Sequence, residues 1–163
     1  MLSDYNQKNL HGLLKDVNDK EFSTLIINNV NIITNGSILK NKNLRAENGE
    51  IIEISDTPIK SEPNSYFIDG QGKFLAPGLV DIHLHGGGGS DFMDGTVEAY
   101  RNAAYAHLAH GTTSIVPTTI GCSKEDILKT LQIYKKAKKE KILSDMLIGM
   151  HLEGPYISPN QAG

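Results

Sequence analysis

Cysteine is nearly absent from this 163-residue sequence, which also lacks long apolar runs and an excess of either charge. The single cysteine, Cys122, cannot form an intrachain disulfide, so a reducing cytoplasm is the expected compartment. No segment is long and apolar enough to span a bilayer, and the N-terminus lacks the pattern of a secretory signal. Lys and Arg number 16 against 19 Asp and Glu, for a net charge of -3. This balance gives no reason to expect nucleic acid or an anionic membrane as a partner.

Two histidines one residue apart, His83 and His85, follow the apolar run 78–82. On an extended strand, alternate side chains share one face, so both imidazoles are expected to point to the same side. Histidine is the commonest metal ligand in proteins. The pair therefore predicts a metal site at the end of a strand, and the alternative is a pair of partly buried polar residues.

A second apolar segment, 147–152, runs into Glu153 and is stopped by Gly154 and Pro155. The pattern predicts a short strand with His151 and Glu153 on one face. A carboxylate at this tip and the two imidazoles at the other would form a metal site of two histidines and one carboxylate. The alternative is that Glu153 is a solvated residue at the end of a strand, since the sequence alone does not show that the two tips converge.

The sequence pattern divides the chain into three parts. Residues 1–24 are a leader with a helical pattern, and 25–72 contain short β-type runs that predict a small antiparallel sheet with Asn-Gly turns. In 73–163, strands alternate with helices predicted at 96–110 and from Ser123 onward, which is the pattern of a parallel α/β fold. Ligands in such folds bind at the C-terminal ends of the strands, where the three candidate ligands fall.

Three other features receive structural interpretations. The glycine run 86–89 lacks the Lys-Ser/Thr of a phosphate-binding loop, so we interpret it as a flexible loop that lets the backbone pass close to the strand tip. His107 and His110 lie on a predicted helix without an acidic partner, and we expect them to be surface or packing residues. Cys122 has no neighbouring histidine and receives no catalytic role.

The segments 76–86 and 111–118 resemble motifs of the amidohydrolase superfamily of metal-dependent hydrolases. The run His-Leu-Glu-Gly-Pro-Tyr at 151–156 closely resembles the N-acetylglucosamine-6-phosphate deacetylase family within it. The resemblance implies a (β/α)8 barrel flanked by a small β-sandwich, with part of the sandwich in 25–72 and the first three β/α units in 73–163. The barrel would be incomplete in this chain, because a complete one needs about 250 residues.

The resemblance also implies a chemistry. His83 and His85 match the histidine pair of the first barrel strand, and Glu153 matches a metal-ligating glutamate of the third. It implies one or two divalent ions per subunit, with zinc expected and iron or another divalent metal as alternatives. The implied reaction converts N-acetylglucosamine 6-phosphate, a small amino-sugar phosphate, to glucosamine 6-phosphate and acetate. A homodimer is expected for the full-length protein.

No catalytic acid is assigned within this chain. The family's acid/base aspartate would lie beyond Gly163, so the chain alone is predicted to be inactive. Two alternatives remain open at this point. One is another metal-dependent amidohydrolase, such as a cyclic-amide hydrolase or a base deaminase, and the other is a truncated chain without catalytic function.

Overall fold

A computed structural model describes residues 22–158 and Asn160. The predicted leader, 1–24, therefore lies almost wholly outside the described residues. These residues form two compact units that join in sequence between Pro77 and Gly78. In the described part of the chain, no helix has both the length and the apolar character needed to cross a bilayer.

The first unit is a four-stranded sheet with strand order β3-β2-β1-β4. Its strands are β1 (Thr24–Thr34), β2 (Ser37–Glu47), β3 (Glu50–Ser55) and β4 (Ser65–Leu75). Two tight turns contain the predicted Asn-Gly pairs, and Gly36 and Gly49 there have the positive φ that such turns require. Ile27, Val30 and Ile32 of β1 pack with Leu44 of β2 to form the core of this unit.

The pairing of β4 differs from the predicted antiparallel sheet. β1 and β2 are antiparallel, but β4 runs parallel to β1, with Thr24 opposite Ser65 and Ile32 opposite Leu75. The link 56–64 returns the chain from β3, at one edge, to the other side of β1. The sheet is therefore mixed, and the prediction of an all-antiparallel sheet was wrong for β4.

One face of this sheet carries an apolar depression of about 510 Å³ whose lining includes Ile51 and Ile54 of the edge strand β3. Ile51 is 63% exposed. Exposed apolar residues on an edge strand favour association between chains. We expect the 163-residue chain to self-associate and Ile51→Lys to weaken the association about 10-fold or more, because burying an isoleucine side chain contributes about 1.5–3 kcal/mol.

Sedimentation velocity over a range of concentrations measures this effect. Glu53→Gln, on the same strand, is the matched control because it changes the net charge by the same amount without removing apolar surface. A wild-type chain that stays monomeric at every concentration, or an equal effect of both substitutions, would contradict the prediction.

The second unit contains short strands and helices. Its elements are β5 (Leu79–Leu84), β6 (Gly86–Gly87), β7 (Ser90–Asp91), α1 (Val97–Leu108), β8 (Thr112–Pro117), α2 (Lys124–Ala137) and α3 (Lys141–Met146). β5 and β8 pair in parallel, as the alternating pattern predicts. Side-chain oxygens of Thr96 and Ser123 cap α1 and α2, which agrees with the predicted helix starts. The helices and strands enclose a core that includes Phe92, Tyr100 and Ile115.

The predicted strand over 147–153 is not a regular strand. This segment makes two isolated parallel bridges, one from Leu147 to Ile115 of β8 and one from His151 to Thr118, the residue after β8. The His151 amide donates to the carbonyl oxygen of Pro117 at 2.9 Å. The segment thus lies beside β8 as predicted, but its irregular backbone prevents a continuous ladder of hydrogen bonds. Other contacts must therefore hold Glu153 in place.

Candidate metal centre

His83 and His85 lie at the C-terminal end of β5, at the predicted position. Leu84 between them is 7% exposed and belongs to the core of the second unit. The two imidazoles lie on the opposite side, because alternate side chains of an extended strand point to opposite faces. Their ring centroids are 5.3 Å apart. The strand therefore presents two imidazoles side by side as candidate metal ligands.

Glu153 joins the two histidines from the irregular segment after α3. Its Oε2 atom lies 3.3 Å from Nε2 of His83 and 3.3 Å from Nε2 of His85. One ligand atom from each of the three residues lies within 4.8 Å of the other two. The structure thus brings together the three residues that the sequence pattern indicated. It also shows that the two chain segments carrying them converge, which sequence spacing alone could not show.

The distances fit a shared metal ion. Two ligand atoms bound to one zinc at about 2.0–2.2 Å in tetrahedral geometry are about 3.3–3.6 Å apart, which matches both Glu153 distances. Glu153 Oε2 is buried, yet it accepts no hydrogen bond from the described residues. An uncompensated carboxylate oxygen between two imidazole nitrogens is stabilised by a cation. The residues present therefore fit a divalent metal.

The site is open to solvent. The side chains of His83, His85 and Glu153 are 48%, 39% and 40% exposed. Catalytic zinc sites commonly use three protein ligands and keep a further position for water or substrate. An open set of two histidines and one carboxylate is therefore the arrangement expected for hydrolysis, whereas structural zinc sites are closed by four protein ligands.

Two glycines shape the backbone directly after two of the candidate ligands. A Cβ atom on Gly86, after His85, would lie 2.1 Å from the carbonyl oxygen of Ser90. Gly154, after Glu153, has a φ of +89°, and a Cβ there would lie 2.9 Å from the Cα atom of Gly121. Any larger residue would displace the backbone next to a ligand, so both chain turns require glycine.

The glycine run forms a short hairpin, which the sequence analysis did not predict. β6 and β7 pair across Gly88 and Gly89, which both have positive φ. The close passage of backbone that the sequence indicated is present at Gly86. His107 Nε2 donates to the carbonyl oxygen of Gly86 at 2.9 Å. His107 therefore supports the hairpin. His110, which was predicted on the helix, lies just after the end of α1, is exposed and donates from Nδ1 to the carbonyl oxygen of Ala106.

Three residues near the centre received no role from the sequence. The ring centroid of His151 lies 4.8 Å from that of His83. Thr118 and Thr119 are fully buried at the end of β8 and bond to the backbones of both ligand-bearing segments. The signal for the threonines was their place after the C-terminal end of a parallel strand, the end at which such folds bind ligands.

The comparison with protein families agrees with this arrangement. The model of the amidohydrolase family matches residues 74–162, more than half of the chain. The chain therefore belongs to the amidohydrolase family.

Two curated relatives within this family share one name, N-acetylglucosamine-6-phosphate deacetylase. The chain is 35% identical over 144 residues to N-acetylglucosamine-6-phosphate deacetylase of Bacillus subtilis (strain 168), covering 86% of this chain and 36% of that protein. It is 36% identical over 118 residues to the deacetylase of the same name from Haemophilus influenzae, covering 71% of this chain and 30% of that protein. The chain thus spans about a third of the length of the curated relatives it matches.

A solved structure gives the same result at the level of the fold. The crystal structure of N-acetylglucosamine-6-phosphate deacetylase from Pasteurella multocida superposes with a TM-score of 0.72 at 29% identity. The match covers 84% of this chain and 36% of that one. The predicted relation to the amidohydrolase superfamily and its deacetylases is confirmed.

Proposed function

We propose that this chain supplies metal ligands to an enzyme that hydrolyses N-acetylglucosamine 6-phosphate to glucosamine 6-phosphate and acetate. The observation that carries the proposal is the convergence of His83, His85 and Glu153 within 4.8 Å. The proposed substrate is that named for the relatives from B. subtilis and H. influenzae. Neither rival, a cyclic-amide hydrolase or a base deaminase, has comparable support from these two relatives.

Each ligand has a defined task in the proposed site. His83 and His85 would bind a divalent cation through Nε2, and the Glu153 carboxylate would balance part of its charge. We propose zinc as the metal, because two imidazoles and one carboxylate are typical zinc ligands. When bound, such an ion supplies Lewis acidity, which lowers the pKa of a water molecule and polarises an amide carbonyl. We also propose that the His-x-His pair allows a second metal ion to bind.

The bond changes define what else the enzyme needs. The water oxygen forms a bond to the acetamido carbonyl carbon, and the carbon–nitrogen bond breaks. The water proton must then reach the leaving amine, because an amine is a poor leaving group without protonation. No residue of this chain was identified from the sequence as the general acid that protonates the amine. We propose that an aspartate beyond Gly163 provides it, in a polypeptide of a length similar to that of the curated relatives.

The larger architecture is part of the same proposal. We propose that 25–72 belong to a small β-sandwich and that 73–163 begin a (β/α)8 barrel, which the parallel pairing of β5 and β8 supports. We further propose a cytoplasmic enzyme that acts as a homodimer in its full-length form.

The test measures acetate release from N-acetylglucosamine 6-phosphate. The protein assayed is the product of the whole open reading frame that contains this sequence. We expect Glu153→Gln to lower kcat/KM by at least about 100-fold, since losing only a residue that supports a ligand costs about 10- to 100-fold. Glu50→Gln, an exposed carboxylate on β3, is the matched control and should behave as the wild type.

The outcomes separate the rival functions. Acetate release that depends on Glu153 supports the proposal. Ring opening of a cyclic amide, or ammonia release from a purine base, without acetate release from the amino sugar, would overturn it in favour of another amidohydrolase. Equal activity of wild type and Glu153→Gln would overturn the metal site.

A further inference from the structure

Two buried threonines, Thr118 and Thr119, connect the segments that carry the proposed metal ligands. They follow β8 directly and have no exposed surface. A buried hydroxyl needs hydrogen-bond partners, because an unpaired polar group in the interior is costly. The partners of these two hydroxyls are therefore informative about what the residues do.

Thr118 holds the histidine strand. Its amide donates to the carbonyl oxygen of Leu84 at 2.9 Å, and its Oγ1 accepts from the amide of Leu84 at 3.2 Å. The same hydroxyl donates to the carbonyl oxygen of Val116 at 3.2 Å. Because Leu84 lies between His83 and His85, these contacts fix the backbone from which both imidazoles project.

Thr119 holds the glutamate segment in the same way. Its amide donates to the carbonyl oxygen of His151 at 3.0 Å. Its Oγ1 accepts from the amide of Glu153 at 3.0 Å and donates to the Glu153 carbonyl oxygen at 3.4 Å. Glu153 is outside any regular strand, so the Thr119 side chain replaces the ladder contacts that a strand would provide.

We propose that Thr118 and Thr119 are positioning residues that set the separation between the histidine pair and Glu153. The inference rests on the proposed metal-dependent function. Neighbouring residues on one short backbone segment each bond one ligand-bearing segment, so the two segments cannot drift apart independently. Metal coordination tolerates distance errors of only about 0.2 Å, which makes such a fixed link valuable. Both hydroxyls bond backbone groups rather than the His83, His85 or Glu153 side chains, so we assign neither threonine a catalytic role.

Cobalt(II) titration of the 163-residue chain tests the inference, because its visible absorption reports both affinity and coordination geometry. Valine has nearly the shape of threonine but no hydroxyl. We expect Thr119→Val to weaken cobalt binding by about 10- to 100-fold, the usual effect of losing a group that supports a metal ligand, and to change the spectrum. Thr119→Ser keeps the hydroxyl and should restore wild-type binding. Thr118→Val, which removes the bond from Leu84, is a second, independent variant with the same expected direction.

Thr130→Val is the matched control. Thr130 is 3% exposed in α2, and its hydroxyl donates to the sulfur of Met93 rather than to a ligand-bearing segment. Thermal unfolding without metal, followed for every variant, separates general destabilisation from loss of the site. We expect the control to lose stability without losing cobalt affinity.

The results distinguish failure of this inference from failure of the proposed function. Wild-type affinity in both valine variants, or weak binding by Thr119→Ser, would overturn the positioning role while leaving the metal site in place. Equal cobalt binding by wild type and Glu153→Gln, or no binding by the wild type, would overturn the metal centre and this inference with it.

Discussion

Replacement of both His83 and His85 by alanine should abolish specific binding of a divalent metal by this chain. The change removes two of the three ligand atoms that lie within 4.8 Å of one another. Loss of a group that only orients a ligand costs about 10- to 100-fold in metal affinity, so loss of two direct ligands should cost more than about 100-fold. Zinc titration by calorimetry, on the chain stripped of metal, measures the difference.

The control for this prediction is His110→Ala. His110 is exposed, lies just after α1, and donates from Nδ1 to the carbonyl oxygen of Ala106, so its loss removes an imidazole from the surface and leaves His83, His85 and Glu153 unchanged. Zinc affinity should stay at the wild-type value. Equal zinc binding by the double variant and the wild type would show that the metal, if bound, lies elsewhere.

The 163-residue chain should release acetate from N-acetylglucosamine 6-phosphate at least about 100-fold more slowly than a polypeptide that continues past Gly163. General acid/base assistance typically contributes about 100- to 10,000-fold to such reactions, and the proposed acid lies outside these residues. If substrate-binding residues also lie outside this chain, the difference in rate between the two proteins should be larger still. Steady-state assays of both proteins, loaded with the same metal, measure the ratio.

A second substrate isolates the missing proton donor. The p-nitrophenolate group of p-nitrophenyl acetate leaves without being protonated. The ratio of the hydrolysis rates of the two proteins should therefore be smaller for this ester than for the amino sugar. An unchanged ratio would mean that the missing acid is not the cause. Rapid acetate release from the amino sugar by the purified 163-residue chain would contradict the prediction directly.

Local rules in the sequence predicted the parts of the fold that depend on neighbouring residues. The alternation at the end of β5 placed Leu84 in the core and the two histidines on the other face, because residue spacing alone sets the side of a strand. The turns at Gly36 and Gly49 and the helix start at Ser123 followed from the same kind of local chemistry.

Pairings between distant segments could not be predicted in this way. β4 lies parallel to β1 because of the route of the link 56–64, and no short-range pattern encodes that route. Thr118 and Thr119 each bond a backbone amide 34 positions away in sequence. Their hydroxyls match many buried environments equally well, so only the packed structure shows which backbone groups they bond.

The candidate site combines both kinds of information. The sequence identified His83, His85 and Glu153 from strand-end patterns, but the shared position of their ligand atoms depends on how β5, β8 and the segment after α3 pack. Tertiary packing places Glu153 Oε2 3.3 Å from Nε2 of both His83 and His85. These distances, and not the sequence pattern alone, indicate that the three residues can bind one metal ion.

An anomalous-difference map from crystals of the zinc-loaded protein, collected on both sides of the zinc absorption edge, would locate the bound metal. We predict one strong peak about 2.0–2.2 Å from Nε2 of His83, Nε2 of His85 and a carboxylate oxygen of Glu153, with any second ion adjacent to it. If the protein is fully loaded and its zinc peak lies away from these three residues, the proposed metal centre is wrong.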